Sequence, residues 1–199
     1  MPAEELAQQL RASFGDILSE PVAFRGELTL QVADPERIHE ICQVAKHELK
    51  FDYLVDITSI DNLGEDPRFT LVYHLYGYGH KSYLRLKLAV SEEVGQVPTV
   101  TTVWRTANWH EREIYDMMGI RFKGHPDMRR ILMWEGYPDH PLLKDFPLSG
   151  RPGSVPEVAF TEKAPLAGGP FVTVSGVRDA LSREPRARLP EADSEPSST

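Results

Sequence analysis

The stretch FDYLVDITSIDNLGEDPRFTLVYHLYGYGHKSYLRLKLAV, residues 51–90, organises the predicted fold because it holds three strand patterns in succession. Residues 51–60 are apolar enough to predict a central strand, and residues 68–76 predict the next strand. Residues 82–90 alternate leucines with basic residues, which is typical of a strand with one wet face. Short turns rich in Asp, Asn and Gly separate the three, so we expect an antiparallel meander.

The flanking sequence adds helices and one further strand. Residues 2–13 have a helical pattern, and residues 27–32 (ELTLQV) alternate as a strand does. A helix is predicted from Asp34 to about residue 49, because Asp34 can cap it and the proline that follows suits the first helical position. Residues 1–122 therefore predict an α+β domain, with a mostly antiparallel sheet and helices on one face.

A further helical region is predicted from Pro98 onward. Thr106 or Asn108 can cap its main helix, and Asn108 with Glu111 has the spacing of a capping box. Gly119 predicts the end of this helix, since glycine readily adopts the left-handed conformation there.

Composition excludes several classes of function. The net charge of −8 argues against nucleic-acid binding, and no apolar run approaches the length of a membrane span. The acidic N-terminus has no signal-peptide layout, which predicts a cytosolic protein. The single cysteine, Cys42, removes disulfides, thiolate zinc sites and clusters ligated by this chain alone. Its place on an apolar helix face favours a buried, inert thiol.

Residues 109–132, WHEREIYDMMGIRFKGHPDMRRIL, are dense enough in acids and bases to suggest an active site. A metal-dependent hydrolase would use His110, His125, Asp127 and His140. The spacing matches no helical two-histidine motif, however, and there is no nucleophile elbow or Gly-rich phosphate loop. His125 and His140 each precede proline, which favours rigid turns over metal ligation.

The carboxylates of this stretch favour structural roles over catalysis. Glu113 and Asp116 are expected on a solvated face, with Asp116 paired to Arg112 one turn away. Glu111 instead falls on the apolar face of the helix, where an unpaired carboxylate is costly. We expect an ion pair between Glu111 and Arg129, Arg130 or a group on another subunit.

Residues 123–150 predict a stiff, extended docking segment, because prolines recur there with aromatic residues between them. This stretch, which includes the HPLLKDFPLSG run of residues 140–150, is called the docking segment below. Residues 151–199 hold 7 of the 16 prolines and one strand-like run, GPFVTVSGV. That composition predicts an extended, partly disordered tail that either hangs free or lies along a partner. If it lies along a partner, we expect protease to cleave the tail in the isolated chain and not in the complex.

The runs EREIYDMMGIRFKGHPDMRRIL and DHPLLKDFPLSG resemble the signature of the 30-kDa-type subunit, also called the C subunit, of respiratory complex I, NADH:quinone oxidoreductase. The likeness is ungapped from about residue 98 to residue 150. Two positions depart from the family pattern: Met128 replaces a leucine, and Leu143 replaces the arginine of HPLRKDFP, so one basic contact is missing.

The resemblance implies a scaffold subunit on the cytoplasmic side of the cell membrane, peripheral and attached only through the complex. Its partners would be other complex I subunits, chiefly the large subunit that helps form the quinone site, with no nucleic acid. The chain itself would bind no cofactor, while the complex uses NADH, FMN, iron–sulfur clusters and quinone and translocates protons. A related membrane-bound hydrogenase, or a dehydrogenase with another electron donor, is the alternative within this class.

Under this interpretation we expect structural or interface roles, with no catalytic residue, for a defined set of side chains. Lys144 and Asp145 would contact the neighbouring large subunit. The full set is Glu111, Glu113, Tyr115, Asp116, His125, Pro126, Arg129, Arg130, His140, Pro141, Lys144, Asp145 and Pro147.

Overall fold

A five-stranded sheet forms the centre of the chain in a computed structural model, which describes residues 3–93, 95–134 and 137–147. The strands run in the spatial order β1-β2-β5-β4-β3. Their bounds are Val22–Phe24 (β1), Glu27–Val32 (β2), Tyr53–Asp61 (β3), Phe69–Gly77 (β4) and Ser82–Val90 (β5). The predicted meander is confirmed, because β3, β4 and β5 pair antiparallel in succession. The sequence did not indicate that β2 pairs in parallel with β5.

Along each strand, alternate side chains point to the same face of the sheet, and on one face they pack into a common core. Tyr73 lies at the centre of this face, in register with Ile57 on one side and Leu86 on the other, and is fully buried. The interpretation of residues 51–60 as a central strand was wrong, because β3 is an edge strand of the sheet. Tyr53 and Val55 on β3 remain exposed. The apolar residues of β3 therefore serve both the core and an outer surface.

Three helices pack on one face of the sheet, as the sequence predicted: α1 (Ala3–Phe14), α2 (Ile38–His47) and α3 (Ala107–Met118). The side chain of Asp34 accepts a hydrogen bond from the Glu36 N–H, as expected of a cap. The Asn108–Glu111 capping box is wrong, because Asn108 already lies within α3 and Glu111 turns into the core. Gly119 ends α3 with φ +81°, as predicted.

The region after Pro98 does not begin with a helix. Gln96–Pro98 (β6) pairs in parallel with Arg121–Lys123 (β7) in a small second sheet, and turns follow up to α3. Six of the seven residues from Val97 to Val103 are β-branched, which accounts for this difference, since such residues disfavour helix and favour extended backbone. The small sheet brings the Thr99–Val100 turn next to α3.

The docking segment runs through turns and bends where it is described, rather than as a fully extended strand. The Leu143 N–H donates to the His140 carbonyl and the Phe146 N–H to the Leu143 carbonyl, which closes two successive turns. The predicted tail, residues 151–199, lies outside the described residues. Among the helices that are described, none combines the length and apolar character that crossing a membrane requires.

Candidate interaction site

Glu111 is fully buried on the inner side of α3, beneath the turn that follows β6. The Val100 N–H donates to its Oε1 at 2.7 Å, and the Thr99 hydroxyl donates to its Oε2 at 2.5 Å. The expected ion pair with Arg129 or Arg130 is wrong. The carboxylate instead receives its bonds from the turn, because α3 points it away from both arginines and into the core.

Burial raises the pKa of Glu111 to about 7, although the bonds from Thr99 and Val100 oppose the rise. The imidazole of His125 lies 4.0 Å away, and burial lowers the pKa of that histidine, so the contact is not an ion pair at neutral pH. Burial, with the nearby Glu111, also raises the pKa of the Cys42 thiol and of the Tyr73 hydroxyl. Cys42 is buried, as predicted, and stays protonated.

Asp116 is the second buried carboxylate of α3, and it fixes the docking segment. The N–H groups of Ile131, Leu132 and Met133 donate to its Oδ2 at 3.0, 2.7 and 2.9 Å. Arg130 donates to its Oδ1 at 2.7 Å. Burial alone would raise the pKa of Asp116, but these four bonds outweigh it and hold the pKa below its ordinary value.

The prediction that Asp116 lies on a solvated face and pairs with Arg112 is therefore wrong. Asp116 is buried because the docking segment covers that side of α3, which helical periodicity cannot show. Arg112 instead donates to the backbone carbonyls of Arg129 and Arg130. Glu113 is exposed, as predicted.

The two adjacent arginines of the docking segment, Arg129 and Arg130, have different partners. Arg130 bonds Asp116 and also donates to the Tyr137 carbonyl at 2.7 Å, and its guanidinium lies over the Tyr115 and Tyr137 rings. Arg129 forms a bidentate pair with Asp127 at the surface, donating from Nε to Oδ1 and from Nη2 to Oδ2. Arg130 thus ties the segment to α3, while Arg129 stays largely exposed.

The two His-Pro pairs lie at turns of the docking segment. The Asp127 N–H donates to His125 Nδ1 at 3.0 Å, which leaves Nε2–H facing the Asn108 carbonyl at 3.3 Å. His140 Nδ1 lies 3.0 Å from the Asp116 carbonyl, and its ring stacks edge-on to Tyr115. Pro126 is exposed, and Pro141 is partly buried beside its histidine.

A second anchor, which sequence reasoning missed, lies at the other end of the docking segment. Arg68 is buried between Asp61, at 2.8 Å, and Asp145, also at 2.8 Å, and it reaches Glu92 as well. The Lys144 N–H donates to Asp61 Oδ2. The guanidinium of Arg68 has the largest effect on Asp61 and holds the pKa of that carboxyl below its usual range, although burial opposes the shift.

A signal for this anchor was present in the sequence. Asp61 and Arg68 border the turn between two predicted antiparallel strands, which places them side by side. The expectation that Lys144 and Asp145 contact the neighbouring large subunit stays a prediction. Asp145 binds Arg68 within the chain while about half of its side chain stays exposed. The Lys144 side chain and Pro147 remain at the surface or partly buried.

The candidate metal ligands are not brought together. His110 faces Asp56 at 3.3 Å, His125 faces Asn108, and His140 faces Asp116. In residues 3–93, 95–134 and 137–147, no three His, Cys, Asp or Glu side chains are grouped as a metal site requires. The buried carboxylates are saturated by backbone N–H groups, a hydroxyl and arginine, so their geometry suits holding neighbouring segments in place.

The outer surface of this region is apolar and aromatic. Leu132, Trp134 and Leu142 of the docking segment are 62%, 42% and 56% exposed, and Trp109 of α3 is 62% exposed. Large side chains of this kind are enriched in protein interfaces. The site therefore consists of a segment fixed from inside by buried charges, with apolar side chains facing outward.

Comparison with known proteins identifies the family. The family model described as respiratory-chain NADH dehydrogenase, 30 Kd subunit, matches residues 31–152. The chain belongs to this family. It is thus related to proteins of complex I, an oxidoreductase assembly of many chains.

Two relatives illustrate the likeness. The chain is 47% identical over 142 residues to the C subunit of NADH-quinone oxidoreductase of Geotalea uraniireducens (strain Rf4), covering 71% of this chain and 86% of the relative. It is 51% identical over 140 residues to the C 2 subunit of NADH-quinone oxidoreductase of Rhizobium meliloti (strain 1021), covering 69% and 76%. The family resemblance inferred from the signature is confirmed.

Two solved structures share the fold. The first is a trypsin-resistant fragment (1-134) of Nqo5, with TM-score 0.56 and 34% identity, covering 64% of this chain and 99% of the fragment. The second is a chain of the membrane-bound sulfane sulfur reductase, an archaeal respiratory membrane complex, with TM-score 0.64 and 22% identity, covering 74% and 87%. The second likeness shows the fold alone.

Proposed function

We propose that the chain is a non-catalytic scaffold subunit of proton-translocating NADH:quinone oxidoreductase. In this proposal it docks on the large subunit that helps form the quinone site. Family membership supports the assignment of the chain to this complex. The observation that carries the docking role is the outward apolar surface of a segment whose backbone is fixed by Asp116 and Arg68.

The anchors matter because the docking segment forms no helix or strand between residue 124 and residue 147 where it is described. A loop ordered only on binding would lose conformational entropy at that moment and weaken the complex. Bonds to Asp116 at one end and to Asp61 and Arg68 at the other supply that order beforehand. The exposed apolar side chains of the segment are then presented in a fixed arrangement, as an interface requires.

The proposal assigns the redox chemistry to other subunits. NADH oxidation, FMN, the iron–sulfur clusters and quinone reduction would belong to neighbouring chains, and this chain would bind no cofactor. Its location would be peripheral, on the cytoplasmic side of the membrane, attached through the complex. The saturated carboxylates of α3 support this assignment, because neither Glu111 nor Asp116 has a free oxygen facing solvent.

Co-purification tests the proposal. An affinity-tagged full-length chain is recovered from native membranes in mild detergent, and all partners are identified by mass spectrometry. We expect the large quinone-site subunit together with an NADH-oxidising module. Recovery with a hydrogenase or another electron-donor module, or without any partner, would contradict the assignment.

A second arm uses the isolated chain. Its flavin, iron and zinc content is measured after purification, and we expect substoichiometric amounts of each. A stoichiometric cofactor that survives dialysis would overturn the non-catalytic role even if the partners are those expected.

A further inference from the structure

A surface groove lies between the turn that precedes α3 and the turn that follows β7. It is lined by Thr101, Thr102, Arg105, Trp109, Gly124 and Pro126, with Asn108 between them, and has a volume of about 490 Å³. The groove lies beside the docking segment, since Gly124 and Pro126 belong to the start of that segment. None of the anchoring residues Asp116, Arg130 and Arg68 lines it.

Trp109 is mostly exposed, and the side chain of Arg112 packs on its ring. The Arg112 guanidinium lies over its ring, 5.3 Å from the centroid. The same guanidinium donates to the carbonyls of Arg129 and Arg130, so it cannot swing away from the ring without losing both bonds. A large aromatic ring with 62% of its surface exposed, supported by an arginine that is itself hydrogen-bonded, is suited to contact with a partner.

Arg105 gives the groove its charge. It is exposed, and its side chain makes no hydrogen bond or ion pair with any residue in the described part of the chain. Among the described residues that line the groove, it is the sole charged one. Glu113, an exposed acid of α3, lies one turn beyond Trp109 and outside the lining. In a chain of net charge −8, this groove is therefore a local positive site.

We propose that the groove binds an acidic, extended segment of the partner subunit, with a carboxylate on Arg105 and an apolar side chain against Trp109. The proposal rests on the docking function above and adds the chemistry of what is recognised. Charge complementarity favours an acidic occupant, since a guanidinium that has no partner among the described residues pairs well with a carboxylate. The exposed Gly124 and the exposed, flat ring of Trp109 suit an extended chain better than a helix.

Site-directed photocrosslinking in the assembled complex tests the proposal. Thr102→p-benzoylphenylalanine places the probe in the lining of the groove, and the linked peptide is identified by mass spectrometry. We expect a peptide of another subunit that contains Asp or Glu beside an apolar residue. A link to a basic peptide, to a second copy, to residues 151–199 of the same chain, or to no protein would overturn it.

Variants supply the second arm. Arg105→Glu and Trp109→Ala should each weaken retention in the complex by roughly ten-fold or more, the scale of an interface hot spot. Arg25→Glu makes the same charge change at an exposed arginine in the turn between β1 and β2. This control variant should leave retention unchanged. Thermal melting of each isolated variant shows whether it folds. Normal retention of folded Arg105→Glu and Trp109→Ala would refute the groove while leaving the docking function standing.

Discussion

At the scale of single residues, the two buried carboxylates of α3 hold neighbouring segments of backbone by hydrogen bonds. Both are satisfied by backbone N–H groups of neighbouring turns, and only Asp116 has an arginine. The two differ in their protonation. Burial dominates at Glu111 and raises its pKa to about 7, whereas hydrogen bonds dominate at Asp116 and lower its pKa. Stability should therefore respond to pH in opposite directions at the two sites.

The first prediction concerns Glu111. Its folded form holds a proton at higher pH than the unfolded chain does, so its contribution falls as pH rises from its ordinary pKa of 4.5 to about 7. The loss should amount to about 3 kcal/mol across that window. Glu111→Gln removes the titration, and its stability relative to the wild type should increase between pH 5 and pH 8. Urea unfolding at several pH values measures this difference.

The matched control is Glu113→Gln, which changes an exposed carboxylate of the same helix. It should leave the pH dependence of the wild type intact. A stability difference between Glu111→Gln and the wild type that stays constant from pH 5 to pH 8 would show that Glu111 is ionised throughout.

Helical periodicity predicted part of this site. It singles out Glu111, because a carboxylate on an apolar stripe needs partners, and that carboxylate is indeed buried. The expected partners were wrong, since the Thr99–Val100 turn approaches α3 only through the β6–β7 pairing, a contact between distant parts of the chain. For Asp116 the helical period suggested solvent, because the covering segment is irregular and has no period of its own.

At the scale of elements, the C-terminal end of α3 and the turn between β3 and β4 position the docking segment. Gly119 ends the helix in the left-handed region, and a Cβ there would come within 2.9 Å of the His140 ring. His140 in turn bonds the Asp116 carbonyl. The helix end and the docking segment are thus packed too closely for a side chain at position 119 unless His140 moves.

The second prediction follows from that contact. Gly119→Ala should destabilise the chain by about 1–3 kcal/mol, through strain at φ +81° and displacement of His140. Gly79→Ala is the control, because a Cβ there meets nothing within 4 Å. Thermal unfolding of both variants compares them, and equal melting temperatures would contradict the close packing described.

The third prediction concerns Arg68. Arg68→Met keeps much of the side-chain volume but leaves Asp61 buried without its cation, which should cost about 3–5 kcal/mol. Asp145→Asn removes a half-exposed partner of the same arginine and should cost about 1 kcal/mol or less. Urea denaturation measures both, and a small loss for Arg68→Met would show that this cluster does not hold the segment.

The elements of the fold were easier to predict than their arrangement. Turn residues and alternation revealed the β3–β4–β5 meander and its strand limits within a few residues. The parallel β2–β5 pair and the edge position of β3 depend on the crossover through α2, which no local pattern records. The helical region expected from Pro98 begins later, at Ala107, because β-branched residues fill the intervening stretch and favour extended backbone and turns.

At the scale of the whole molecule, the α+β domain presents an irregular apolar surface on its docking segment. The residues that anchor this surface, Asp116 and Arg68, are buried beneath it. The net charge of −8 already argued against nucleic-acid binding, and the single cysteine argued against an iron–sulfur cluster ligated by this chain alone. The family signature pointed to the subunits of complex I, which neither the charge nor the periodicity of the sequence could have identified.

Assembly and turnover, measured together on the same variants, test the docking role. Leu132→Asp and Trp134→Ala, both at exposed positions of the docking segment, are expressed in place of the wild-type chain. The amount of assembled complex and the NADH:quinone turnover per assembled complex are then quantified. We expect less assembled complex, with unchanged turnover in each complex that forms. Full assembly with reduced turnover would contradict the docking role, since the segment would then act in the reaction itself.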